Sequence, residues 1–63
     1  QDFIHKLSIS LKEANETEYW LELLFKTDYL NESEFKNLRM KVGELNRLLI
    51  SIIRTTKEKL KNN

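Results

Sequence analysis

The sequence predicts an all-α chain: an antiparallel hairpin of two long helices that forms half of an up-and-down four-helix bundle. Three observations predict it. The 63 residues contain no proline and a single glycine, Gly43, a composition that leaves helices uninterrupted. Apolar residues recur at alternating three- and four-residue spacing in two long runs with one short break between them, the period of amphipathic helices. Both runs carry more apolar residues than two helices can bury against each other. Two further helices, from the rest of a longer chain or from copies of this one, are therefore needed to close a bundle.

The first run spans about residues 3–26. Ile4, Leu7, Leu11, Ala14, Glu18, Leu21 and Phe25 fall on one stripe of it, and Asp2 stands as N-cap or first-turn acid. At about 1.5 Å per residue this helix is roughly 36 Å long. The pattern breaks at Thr27-Asp28-Tyr29-Leu30, so residues 27–31 are expected to form the turn. Asn31 then reads as an N-cap with Glu34 as its capping-box partner, and Leu30 and Phe35 occupy the positions of a hydrophobic staple. So short a connection returns the second helix antiparallel to the first.

The second run spans about residues 32–60, with Phe35, Leu38, Val42, Leu45, Leu49, Ile52 and Thr56 on its stripe. Gly43, inside it, costs about 1 kcal/mol relative to alanine. It reads either as a place where another helix approaches closely or as a tolerated surface glycine. Lys57, Lys59 and Lys61 lie near the end of the helix, where cations complement its dipole.

The surplus apolar residues are Phe3, Ile9, Tyr19, Trp20, Leu23 and Leu24 on the first helix and Leu48, Ile50 and Ile53 on the second. Of these, Tyr19, Trp20, Leu23, Leu24, Leu48, Ile50 and Ile53 are the expected subunit or bundle contacts, since an unpartnered patch of this kind marks an interface. A chain of this length buries only about 60% of its unfolded surface and is marginal alone. It has no cysteine, which removes disulfides and thiolate metal sites and fits a reducing cytoplasm. No apolar run approaches the roughly 20 residues of a membrane span, and within these residues no signal-peptide pattern occurs. The chain starts at Gln1 with helical periodicity running by Phe3, the appearance of a processed or truncated chain.

The net charge of +1 hides a split. Residues 1–30 hold three lysines against six carboxylates, a net of −3, and residues 31–63 hold eight cations against four carboxylates, a net of +4. Lys36, Arg39, Lys41, Arg47, Arg54 and Lys57 are the candidate contacts to nucleic-acid phosphates. They do not form one tight run, and no aromatic residues are interleaved with them for base stacking. The alternative is that the two helices complement each other across a solvated surface.

Catalytic and metal chemistry find little support. His5 is the only histidine, and Ser8, Ser10, Ser33 and Ser51 have no base near them in sequence. Glu13, Glu16, Glu18 and Glu22 lack the Glu-x-x-His pairing of carboxylate metal bundles, so no cofactor and no metal are expected. Glu18 differs from its neighbours by falling on the apolar stripe, where a charge needs a partner. Arg47 or Arg39 on the returning helix is the expected partner, with Glu18–Arg47 the favoured buried ion pair. The other reading lets Glu18 reach solvent.

The words of the sequence carry a resemblance. Asp2-Phe3-Ile4, then Lys6-Leu7-Ser8-Ile9-Ser10-Leu11-Lys12-Glu13-Ala14, then Glu16-Thr17-Glu18-Tyr19-Trp20-Leu21, then Tyr29-Leu30 resemble the four-helix-bundle family of 23S rRNA intervening-sequence proteins, also called S23 ribosomal protein-like. The resemblance covers about residues 2–53, which would be the third and fourth helices. It is most specific at Glu-Thr-x-Tyr-Trp-Leu and weakest on the second helix. The family's first two helices have no counterpart in these 63 residues, and Asp28 stands where the family usually has glycine. A non-glycine residue in a left-handed cap costs on the order of 1 kcal/mol.

The resemblance implies a cytoplasmic bacterial protein without enzymatic activity. It also implies a ring-like homo-oligomer, a pentamer, with RNA or DNA bound through basic surfaces. The expected function is thus a non-enzymatic, self-assembling helical-bundle protein that binds nucleic acid. The alternative is an adaptor that docks a partner protein's helix through its apolar faces.

Overall fold

The structure, a computed structural model, describes residues 2–62. It consists of α1, Asp2–Lys26, and α2, Glu32–Asn62, packed against each other along their length. Each helix opens with acids in its first turn and closes with lysine in its last, the arrangement the helix dipole favours. Exposed i, i+4 pairs, Lys6–Asp2 at 3.3 Å and Lys36–Glu32 at 3.1 Å, strengthen the two first turns, each by only a few tenths of a kcal/mol.

The turn is built from two capping devices back to back. α1 ends in a Schellman arrangement: the Tyr29 N–H donates to the Leu24 carbonyl at 2.9 Å and the Asp28 N–H to the Phe25 carbonyl at 3.1 Å. This closure requires a left-handed residue at its centre, and Asp28 takes that role with φ of 68°. α2 opens on the capping box. The Glu34 N–H donates to Asn31 Oδ1 at 2.7 Å, and the Asn31 N–H donates to Glu34 Oε1 at 3.0 Å. Just inside the turn the Phe25 and Phe35 rings stack, with centroids 4.5 Å apart and planes 10° from parallel. The Arg39 guanidinium lies over the outer side of Phe35 at 5.8 Å, within cation–π range.

The seam of α1 contains Ile4, Leu7, Leu11, Ala14, Glu18, Leu21 and Phe25, all buried or half-buried. On α2, Phe35, Val42, Leu49, Ile52 and Thr56 point inward, whereas Leu38, also expected on the stripe, is exposed at the rim of the seam, and two further departures follow. Leu45 is exposed and Asn46 takes the seam position beside it. Ile53, expected to face outward, is half-buried. Both shifts follow from the 3.6-residue turn, which drifts about 20° per heptad against a strict seven-residue repeat.

The hairpin is a thin slab of 50 × 16 × 10 Å with a radius of gyration of 14.8 Å. A compact chain of this length has a radius of about 11 Å. Among the described residues only Ala14, Leu21 and Leu49 are buried, and none of them completely, so the slab has a seam but no core.

Candidate functional site: the exposed faces of the hairpin

One side of the slab is apolar. On α1, Phe3, Ser10, Thr17 and Leu24 follow at seven-residue intervals beside the seam. On α2, Leu38, Leu45, Leu48 and Ile52 recur at intervals of seven, three and four. Each stripe is rotated in the same sense from its own seam. Antiparallel helices turn oppositely when viewed from one end, so the two stripes share one side of the slab. Ser10 and Thr17 look polar in the sequence, yet their hydroxyls are already used. Ser10 Oγ donates to the Lys6 carbonyl at 3.2 Å and Thr17 Oγ1 to the Glu13 carbonyl at 3.0 Å. Back-bonded in this way, they present carbon to whatever covers them.

The opposite side is polar and holds the contacts that tie the helices in register. Asn46 Nδ2 donates to Asn15 Oδ1 at 3.1 Å and to Glu18 Oε1 at 3.3 Å, while Asn46 Oδ1 is buried without a partner. Glu18 therefore meets an amide. The expected Glu18–Arg47 ion pair does not form among the described residues, because Asn46 stands in the seam and Arg47, one residue on, turns outward and is exposed. Leu11, Ile50, Ile53, Arg54 and Lys57 line a shallow open cleft on this side.

The candidate phosphate contacts Lys36, Arg39, Lys41, Arg47, Arg54 and Lys57 are all exposed. On the helix surface most of them join one stripe: Lys36, Arg39, Gly43, Arg47, Ile50, Arg54, Lys57 and Lys61 follow at three- or four-residue steps without an acid among them. The stripe is about 38 Å long at 1.5 Å per residue. Lys41 lies off it, and Lys61, not among the expected phosphate contacts, lies on it. The spacing that reveals this was present in the sequence but is hidden when cations are read as a linear run. A side chain added at Gly43 would touch only Arg47 Nη1, at 3.5 Å, so no helix of the hairpin itself approaches that glycine.

The remaining surplus residues lie on the outer face of α1. Tyr19 and Trp20 are 64% and 57% exposed, with their rings edge to face at 5.6 Å. Ile9 and Leu23 are also exposed. His5, Glu13, Glu16 and Glu22 are all exposed. Among the described residues no three histidine, cysteine or acidic side chains gather as a metal site, and no helix is long and apolar enough to cross a membrane.

Comparison with known proteins gives these faces a setting. The family model described as 23S rRNA-intervening sequence protein matches residues 1–51. The crystal structure of a protein of unknown function from the S23 ribosomal protein family of Bacteroides thetaiotaomicron is similar at 57% sequence identity and a TM-score of 0.82, over 84% of this chain and 47% of that one. The chain thus spans about half the length of that relative. No curated protein matches it.

Proposed function

The chain belongs to the 23S rRNA-intervening sequence protein family, and from that premise we propose that it is a non-enzymatic helical protein that works as an assembly. The apolar side of the slab is covered by a second helical pair to complete a four-helix bundle. One observation carries this reading. The hairpin exposes 5260 Å², whereas a folded monomer of 7.6 kDa exposes about 4,300 Å². The excess, about 1,000 Å², is comparable with the roughly 800 Å² that each partner buries in a stable interface. The relative's greater length supports a second helical pair as the cover, supplied by a longer chain or by another copy. Solution mass by light scattering tests this. A fully helical 63-residue monomer at micromolar concentration would overturn it.

A second reading, binding of RNA or DNA, is favoured by the acid-free basic stripe of α2. Filter binding of a duplex at two salt concentrations tests it. Replacing Arg54 or Lys57 by alanine is expected to weaken binding and lower the salt slope by about one for each phosphate no longer neutralised, while Lys41→Ala changes little. No retention of a duplex at low salt by the intact assembly removes this reading.

A further inference from the structure

The cleft on the polar side of the slab is accounted for by neither reading above. Leu11 of α1 and Ile50 and Ile53 of α2 line it together with Arg54 and Lys57, and its volume is 280 Å³. It lies away from the side that a second helical pair would cover, so completing the bundle there does not fill it. One helical turn along, from Leu11 to Asn15 and from Ile50 to Asn46, the bond from Asn46 Nδ2 to Asn15 Oδ1 bridges the two helices at 3.1 Å. The cations stand toward the opposite end, since Arg54 and Lys57 follow Ile50 at steps of four and three. No acid lines the cleft. The ion pairs among the described residues are Lys6–Asp2 and Lys36–Glu32, so neither Arg54 nor Lys57 has a carboxylate partner there.

This pattern selects an occupant. A nucleic-acid backbone would satisfy the two cations and leave Leu11, Ile50 and Ile53 wet. A helix, about 10–12 Å across, is too broad to seat in so small a cleft. The volume is just below the range of small-molecule sites, about 300–1,000 Å³. At about 30 Å³ for a water-sized group it holds roughly nine such groups. We infer that the cleft binds a free medium-chain carboxylate, a straight acyl chain of about six to eight carbons. The chain lies along Leu11, Ile50 and Ile53 with its methyl end toward the Asn15–Asn46 bridge. The carboxylate accepts from the Arg54 guanidinium, whose planar fork matches its two oxygens, and Lys57 adds a second positive charge. Both parts of the ligand are needed. An exposed ion contact is weakened by solvent and salt, and a shallow apolar contact buries only part of the chain.

The test titrates octanoate into the intact assembly and follows the methyl resonances of Leu11, Ile50 and Ile53 by NMR. Butyrate, octanol and octylammonium serve as comparisons. Octanoate is expected to give saturable shifts at these three residues. Butyrate should bind at least tenfold more weakly, at two- to fourfold for each methylene lost. Octanol should bind at least fivefold more weakly than octanoate, and octylammonium should not bind. Arg54→Ala and Ile50→Ser, both at exposed positions, should each raise the dissociation constant for octanoate at least fivefold, and Lys41→Ala should leave it unchanged. The ligand series on the native protein decides the matter even where a variant loses helicity. No saturable shift below about 1 mM octanoate overturns the site. Equal affinity for octanol and octanoate, which is apolar adsorption, overturns it as well. So does equal affinity for butyrate and octanoate, since the cations then take any anion, and so do shifts centred on Leu38, Leu45 and Leu48 in place of the cleft.

Discussion

Asp28 is the described non-glycine residue with positive φ, 68°, and its side chain is exposed. The Schellman closure of α1 depends on that conformation, so the strain has no other outlet. Asp28→Gly removes the Cβ from a left-handed position and is expected to stabilise the hairpin by about 0.5–1 kcal/mol, the steric relief less the extra chain entropy of glycine. Urea unfolding with an unchanged slope would measure it. Three residues on, Asn31→Ala should cost about 1 kcal/mol, because it removes the Oδ1 that accepts from the Glu34 N–H and leaves only the reverse bond, from the backbone N–H of residue 31 to Glu34 Oε1. This end of the molecule was legible in the sequence. A capping box is a local i, i+3 relation that depends on nothing distant, and Asn31 with Glu34 displays it before any tertiary contact is known.

At the scale of the helices, legibility depended on how far each inference had to reach. The seven seam positions of α1 follow from period alone, and each is buried or half-buried. On α2 the same reasoning chose Leu45 over Asn46, because hydrophobicity was weighed and helical drift was not. Asn46 is there for its two donors, which satisfy Asn15 and Glu18. A single polar residue in an apolar seam sets register at some cost in stability, and the orphaned Asn46 Oδ1 is that cost. Asn46→Asp removes both donors and sets a carboxylate against Glu18, so destabilisation by about 1–3 kcal/mol is expected. Asn46→Leu should instead hold or raise the melting temperature while loosening register, visible as doubled amide resonances along α2. If both substitutions behave alike, the amide has no specific role. The basic stripe was hidden for a different reason: Lys36, Arg39, Arg47 and Arg54 look scattered in sequence and align only when the chain is wound.

For the molecule as a whole, shape decides more than any contact. A slab 10 Å thick is one helix deep, so every seam residue lies within a side chain's length of solvent on both sides. With Ala14, Leu21 and Leu49 as the only buried apolar residues among those described, the hairpin cannot offset the conformational entropy of ordering its chain, roughly 1.5 kcal/mol per residue. The missing stabilisation has to come from association, and association obeys mass action. Each tenfold rise in concentration adds up to about 1.4 kcal/mol per chain to the folded state. For a domain of this size that corresponds to a rise in melting temperature of about 3–10 °C. Far-UV circular dichroism across a hundredfold dilution series of the 63-residue chain reads this directly. If the apolar side is covered by another copy, the melting temperature climbs with concentration and the Trp20 emission moves to the blue with it wherever the outer face of α1 is also engaged. If the cover is a helical pair of a longer chain, the hairpin alone stays largely unfolded at every dilution, and joining it to that pair restores a melting temperature independent of concentration. A hairpin that melts sharply at one temperature throughout the series, with its Trp20 still in water, would show that the seam suffices and that the apolar side serves something other than folding.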